Sequence, residues 1–283
     1  MFLPPMLLTK REDPFDDPRY LFEPKIDGHR LLLSVLNGRP ILHTRHETLC
    51  TAQYPELHDV PLLDASDAVL DGEVARVDPA TGAVDFESLM ERFQLKQARK
   101  IHEAAASWPV HYFVFDILRY KGEDLRAWPL ARHKELLHEV LRPNAYFSNV
   151  MSVEGTGKAL FDVIKSRQLE GTVAKRSNSV YVGRRDPRWI KIINYTYAEV
   201  AIAGYRREEF GWLAHYEGRP AGLIEFAVPS AHKKAFYGVA KQLVTGQDKD
   251  FVYLEPLLRV QVRFRNWTRR GMLRSPEFVK FVV

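Results

Sequence analysis

A chain of 283 residues with 46% hydrophobic and 27% charged side chains has the length for about two domains and enough apolar material for real cores, which excludes wholesale disorder. No apolar run reaches the roughly 20 residues of a membrane helix, the opening MFLPPMLLTKRED is too quickly charged for a secretory signal, and the single cysteine, Cys50, precludes an internal disulfide, so a reducing, cytoplasmic setting is expected. The net charge of +5 is uneven: residues 1–193 carry 27 Lys and Arg against 27 Asp and Glu, whereas residues 194–283 carry 14 against 9.

Along the chain, residues 20–23 and 30–36 read as strands, and Asn37-Gly38 between apolar runs signals a hairpin turn. Residues 69–77 read as a strand interrupted by Asp71-Gly72. Leu89, Phe93 and Ile101 at helical spacing predict one helix over 86–106. Residues 110–118 return to strand, 130–141 and 158–168 are helical, and 172–175 and 189–193 are short strands. A break at 194–198 separates this mixed α and β domain, 1–193, from a second domain, 194–283. There 200–205, 212–216, 222–228 and 252–264 read as strands and 231–243 as a helix, an order that suits a small five-stranded barrel of the oligonucleotide-binding type.

Several residues stand out chemically. In EPKIDGHR, an extended chain puts Glu23, Lys25 and Asp27 on one side until Gly28 turns it. A lysine in a partly buried pocket loses solvation, drops its pKa and becomes a nucleophile; a salt-bridged lysine in a turn is the plainer alternative. Asp71-Gly72-Glu73 can offer a carboxylate to a ribose hydroxyl or a metal. Phe113 or Phe115 can stack on a purine or simply fill the core. Lys25, Lys175 and Lys191 each end a short apolar run, an odd place for solvated charge and one suited to a polyphosphate. Residues 259–283 concentrate Arg259, Arg263, Arg265, Arg269, Arg270, Arg274 and Lys280 against Glu277 alone. Such a stripe fits a phosphate-backbone footprint, with a solvated tail as the plainer reading. Arg263 and Arg265, two apart, are expected on one face. None of the ten histidines shows a compact metal-ligand spacing.

The ordered segments KIDGHR, DGE, YFVFDIL, EGTVAKR and WIK are similar to the nucleotidyltransferase motifs of ATP-dependent DNA ligases, and the likeness runs from Leu21 to the end. The closing RFRNWTRRGMLRSPEF resembles the end of the ligase domain of bacterial ligase D enzymes, which join double-strand breaks. The resemblance implies an α+β fold, with a nucleotidyltransferase (adenylation) domain of antiparallel sheets and helices followed by an OB-fold β-barrel. It implies that Lys25 attacks the α-phosphate of ATP, forming lysyl–AMP, and that AMP passes to a 5′-phosphate before a 3′-hydroxyl displaces it. Glu23, by its backbone, and Phe115, by stacking, would hold adenine. Arg30 and Glu73 would address ribose or the nick phosphate, and Arg45 a phosphate of the nicked strand. Glu170, with Glu73, would place Mg2+, with Mn2+ as an alternative oxygen-preferring ion. Lys175 and Lys191 would neutralise the α-phosphate. Arg263 and Arg265 would contact DNA, and one of Arg269, Arg270 and Arg274 would orient the leaving pyrophosphate.

Two departures accompany the resemblance. Ile193 stands where many ligases carry a second lysine, and the chain leaves no room for the polymerase and phosphoesterase domains of ligase D enzymes, so a minimal, stand-alone ligase is expected. Only 24 residues precede Lys25, which favours ATP over NAD+ as donor. The implied partner is nicked duplex DNA, met by a monomer away from any membrane; an end-joining role would add the Ku end-binding protein. RNA ligases and mRNA capping guanylyltransferases would share the nucleophile, the Asp-Gly-Glu element and the small barrel, whereas YFVFDIL and LRSPEF favour DNA ligase by resemblance; a catalytically inactive nucleic-acid-binding module is the non-enzymatic alternative.

Overall fold

In the computed structural model, which describes residues 1–78 and 82–282, the chain divides into two units, Met1–Asn194 and Tyr195–Val283. The first opens with strands β1 (Leu7–Arg11), β2 (Asp17–Pro24), β3 (His29–Leu36) and β4 (Arg39–Thr44). Asn37 and Gly38, at φ of 51° and 71°, adopt the left-handed conformation that a two-residue hairpin turn requires. Strand β5 (Asp67–Ala75) continues through Asp71-Gly72-Glu73, and the interruption that the sequence pattern predicts there is a register shift against the next strand between Asp71 and Gly72. The glycine serves close approach: a Cβ at Gly72 would lie 2.6 Å from both the Phe113 carbonyl and the Tyr112 ring.

The single helix predicted over 86–106 is two, α1 (Phe86–Phe93) and α2 (Ala98–Ser107). Asp85 caps α1 by accepting from the Ser88 amide. At the other end the Gln94 and Leu95 amides fold back onto the Met90 and Arg92 carbonyls and close the helix. Buried Arg92 ties α1 to the preceding loop through a bidentate pair with Glu56 and a bond to the Gln53 carbonyl. The break frees α2 to bury Ile101 and Ala104 on its own terms.

There follow β6 (His111–Tyr120), β7 (Glu123–Asp124), α3 (Leu130–Val140), β8 (Phe147–Asn149), β9 (Val153–Gly155), α4 (Gly157–Ser166), β10 (Gly171–Arg176) and β11 (Arg185–Ile193). One sheet has the order β4-β3-β5-β6-β7, with β8 parallel beside β6; the other has the order β1-β11-β10-β2-β9. On the first sheet, one face buries Leu31, Leu33, Leu70, Val74 and Val114. On the second, Phe22, Ala174 and Ile192 pack on Leu160 and Ile164 of α4. The two remaining faces meet through Leu32, Val69, Leu118 and Trp189, with Phe115 packed against them.

The second unit comprises β12 (Thr196–Arg206), β13 (Trp212–Tyr216), β14 (Arg219–Ile224), α5 (Ser230–Ala240), β15 (Val244–Gln247), β16 (Phe251–Leu254), β17 (Arg259–Phe264) and β18 (Glu277–Val282). The single strand predicted over 252–264 is β16 and β17, separated at Glu255-Pro256, where proline cannot donate to a ladder. The strand predicted over 222–228 begins and ends earlier, as β14. β12 pairs with β13 and β17, β13 with β14, and β17 with β18. A parallel bridge between Phe226 and Glu277 returns the chain after β14 to β18. Five strands thus close in a ring around Ile202, Trp212, Ile224, Val260 and Phe264, the form of a small, partly open barrel. Among the described residues no helix is long and apolar enough to cross a membrane.

Candidate active site

Strand register sets the site. On β10, Val173 lies opposite Glu23 on one side and Lys191 on the other, while Lys175 lies opposite Leu21 and Trp189. Directly paired residues project to the same face, and so do residues two apart. Glu23, Lys175 and Lys191 therefore share the face turned to the first sheet, opposite the α4 core. Lys25 joins the sheet just past the end of β2, its amide donating to the Gly171 carbonyl at 2.9 Å. Gly171 itself has φ of 149°, and a Cβ there would lie 2.1 Å from the Ile192 carbonyl, so only glycine lets these strands close here.

At this end the Lys25 ammonium donates to Glu170 Oε2 at 2.7 Å, and both side chains are largely shielded from solvent. Burial lowers the pKa of Lys191, and Lys25, Arg185, Lys10 and Arg45 lower it further by repulsion. Such a gathering of positive charge suits a polyphosphate. Gly28 brings Glu73 to the same place: a Cβ on Gly28 would lie 2.2 Å from the Val74 carbonyl and 2.8 Å from Glu73 Cγ. Burial raises the Glu73 carboxyl to about 7, against the pull of Lys25 and Arg30, while Asp71 and Asp27 push it the same way as burial. A carboxyl so stressed gains from a cation beside it, which fits a divalent metal. Among the described residues no group of three His, Cys, Asp or Glu forms a ready cage, so such an ion would draw most of its oxygens from phosphate and water.

Lys175 lies at the other end, four residues along β10 from Gly171, or roughly 13 Å. Its side chain is 2% exposed, paired with Glu23 Oε2 at 2.8 Å and stacked over Phe115 at 4.0 Å and Trp189 at 4.3 Å. Burial pushes its pKa down to about 8, although Glu23 favours the charged form. Glu23 uses its second oxygen to pair with Lys134 of α3. Arg30 is held inward: it forks onto Asp71 at 2.9 and 2.6 Å, donates to the Met6 carbonyl at 2.7 Å, and lies over the Phe115 ring. Tyr181 donates to the same Asp71 at 2.6 Å. Arg45 is exposed in the turn after β4, with its Nε donating to His46.

In the second unit, Arg263 is engaged by Glu277 at 2.7 Å and lies over the Tyr195 ring. Arg265 falls just past the end of β17, where its amide bonds to the Arg274 carbonyl. Trp267 and Leu273 bridge below a tight turn, and Arg269 and Arg270 are exposed at its tip.

The ATP dependent DNA ligase domain family matches residues 6–192. The chain belongs to the ATP-dependent DNA ligases. It is 38% identical over 282 residues to the SPbeta prophage-derived DNA ligase-like protein LigB of Bacillus subtilis, covering 98% of both chains. It is 28% identical to the multifunctional non-homologous end joining DNA repair protein LigD of Mycobacterium tuberculosis, covering 91% of this chain but only 35% of LigD. The ligase domain of M. tuberculosis LigD superposes with a TM-score of 0.60 at 24% identity over 99% of this chain and 95% of that one. A Lig E DNA ligase gives 0.68 at 16% identity over the full length of both chains. At these identities the structural likenesses bear on the fold, a nucleotidyltransferase-like ligase architecture.

Three residues that pair within this cluster escape sequence reasoning. Lys134 carries a readable signal, since it interrupts the stripe Leu130, Leu137, Leu141 on a helix that is otherwise buried there. Asp71 is visible as part of DGE, but its partnership with Arg30 requires the β3–β5 register. Tyr181 lies in a loop without any pattern. Cys50 is buried, its thiol pushed up to about 12 by burial, and it stands apart from the chemistry.

Proposed function

We propose that this ligase seals 5′-phosphate/3′-hydroxyl nicks in duplex DNA through a lysyl–AMP intermediate on Lys25. The observation that carries the reading is a single sheet face with an amine and its carboxylate partner at one end and an aromatic, cation-bearing box at the other. In the first step the Lys25 amine, its proton passed to Glu170, attacks the α-phosphorus of ATP. An N–P bond forms, the α–β P–O bond breaks, and pyrophosphate leaves. Lys191 offsets charge growing on the α-phosphate. This chemistry needs in-line placement and positive charge more than elaborate acid–base machinery. A 5′-phosphate oxygen then takes AMP from Lys25, and the 3′-hydroxyl displaces AMP to join the strand.

The Lys175 ammonium, stacked on Phe115, meets the base rather than the α-phosphate in this reading. It donates to the N1 acceptor of adenine; guanine presents an N–H there, so the site favours ATP over GTP. Glu73 and Glu170 are the residues that would hold a magnesium ion, which when bound screens phosphate charge.

Labelled ATP and GTP, followed by nicked DNA and nicked RNA, test the whole reading. The expected result is covalent AMP from ATP, lost in Lys25→Ala with DNA binding retained, and sealing of nicked DNA. Labelling that survives Lys25→Ala overturns the nucleophile, and preferential sealing of RNA overturns the substrate.

A further inference from the structure

On the far side of β11 lies a cation that the chemistry above does not use. Edge strand β1 runs parallel to β11, and Lys10 is the register partner of Lys191. Lys191 is in turn the partner of Val173, and Val173 of Glu23. Lys10 therefore stands on the same nucleotide-bearing face, one strand outside Lys191. Lys10 pairs with Glu12 at 3.4 Å, with Glu12 55% exposed, and a surface pair of this kind holds its partners weakly. Half-buried Lys191 has no carboxylate paired with it among the described residues, and Lys10 is one of four cations that press on it. Across the face, the base end lies at Lys175 and Phe115, the α-phosphate position at Lys25 and Lys191, and the next group outward is Lys10.

We propose that Lys10 is a binding residue for the β- and γ-phosphates of ATP, and so for pyrophosphate as it leaves. The inference rests on Lys25 being the nucleophile. Lys10 forms no bond to a reacting atom; its ammonium lowers the cost of bringing a tetraanionic tail beside Lys191 and steadies the leaving group once the α–β bond has broken. The chemical class is a di- or triphosphate, and inorganic pyrophosphate is the simplest probe.

The test compares wild-type protein with Lys10→Gln and Lys10→Arg in three assays. One is Lys25–AMP formation against ATP concentration. The second is reversal of the adenylated protein by inorganic pyrophosphate, and the third is sealing, without ATP, of a nick that already carries 5′-AMP. Lys10→Gln is expected to raise the half-saturating ATP and pyrophosphate concentrations on the order of tenfold, the scale of one charged hydrogen bond. Lys10→Arg is expected to restore most of the loss, and sealing of the pre-adenylated nick to match wild type. An unchanged pyrophosphate dependence overturns the inference. An equal loss in sealing the pre-adenylated nick also overturns it, by assigning Lys10 to the DNA strand. A wild-type protein that forms no adduct on Lys25 instead overturns the underlying reading, and this inference with it.

Discussion

In the first unit, Lys25, Lys175 and Lys191 are set by strand register, and two of them are pinned by Glu170 and Glu23 at 2.7 and 2.8 Å. In the second unit, Arg269 and Arg270 ride the tip of a hairpin, exposed to solvent. In the proposed reading the difference separates two uses of positive charge. Making and breaking a P–N bond needs a particular atom at a particular place, which register and burial supply. Gripping a phosphate backbone needs charge at about the right distance, and an exposed arginine gives that at little folding cost.

The sharpest way to break this contrast is Lys25→Arg, which keeps the charge and discards the proposed nucleophile. Placed chemistry predicts that adenylation falls by on the order of 10^3-fold or more, read as labelled protein from ATP. Retention of most labelling would mean that charge, not the amine, carries the first unit as well.

Stability should divide along the same line. Arg92 is fully buried against Glu56, whereas Arg99 and Glu103 form an exposed pair on α2. Arg92→Ala leaves Glu56 buried without its partner and is expected to cost about 3–5 kcal/mol. Arg99→Ala is expected to cost no more than about 0.5 kcal/mol. Urea unfolding of both variants measures the gap, and equal losses would deny that burial is what fixes charge in this unit.

A third expectation concerns pH. Burial holds the Lys175 pKa near 8, below its ordinary 10.5, with Glu23 opposing the fall. Lys175 is charged below about pH 8 and neutral above it, so ATP affinity should drop as pH rises through that value. Binding measured with Lys25→Ala keeps adenylation out of the reading. Glu23→Gln removes the carboxylate that favours the ammonium and should move the drop to lower pH. For stability the sign is opposite: the unfolded lysine keeps its proton to higher pH than the folded one, so this group makes the fold more stable as pH rises from about 8 toward 10.5. A flat affinity profile would remove Lys175 from base recognition.

What the sequence discloses of this site is local. Lys25, Glu73, Phe115, Glu170 and Lys191 fall in short motifs that single them out as candidates, and Asn37-Gly38 announces its turn. What it conceals is pairing across long separations. Lys134 meets Glu23 and Lys10 lies opposite Lys191 only because α3 packs on β6 and β1 runs along β11. Periodicity also overruns its own breaks. The spacing of Leu89, Phe93 and Ile101 ignores the turn at 94–97 because both halves happen to keep the phase, and the apolar run 252–264 hides Pro256.

The smallest effects belong to the hairpin tip, and they are where the contrast can be refined. If Arg269 and Arg270 act as charges on a DNA backbone, each change to Gln should weaken binding of nicked duplex only a few-fold at physiological salt. It should also flatten the slope of log affinity against log salt by about 0.9 for each phosphate that is no longer neutralised. Arg269→Lys and Arg270→Lys should then behave almost as wild type, since an ammonium serves a single phosphate as well as a guanidinium does. Lys25 adenylation in the absence of DNA is the second reading to take on the same variants. Should one lysine variant be as impaired as its glutamine counterpart, and in adenylation rather than in DNA binding, that arginine is using its planar fork on pyrophosphate. Arg263 gives the internal control: its guanidinium engages Glu277 and lies over the Tyr195 ring, so Arg263→Gln is expected to change the salt slope less than Arg270→Gln.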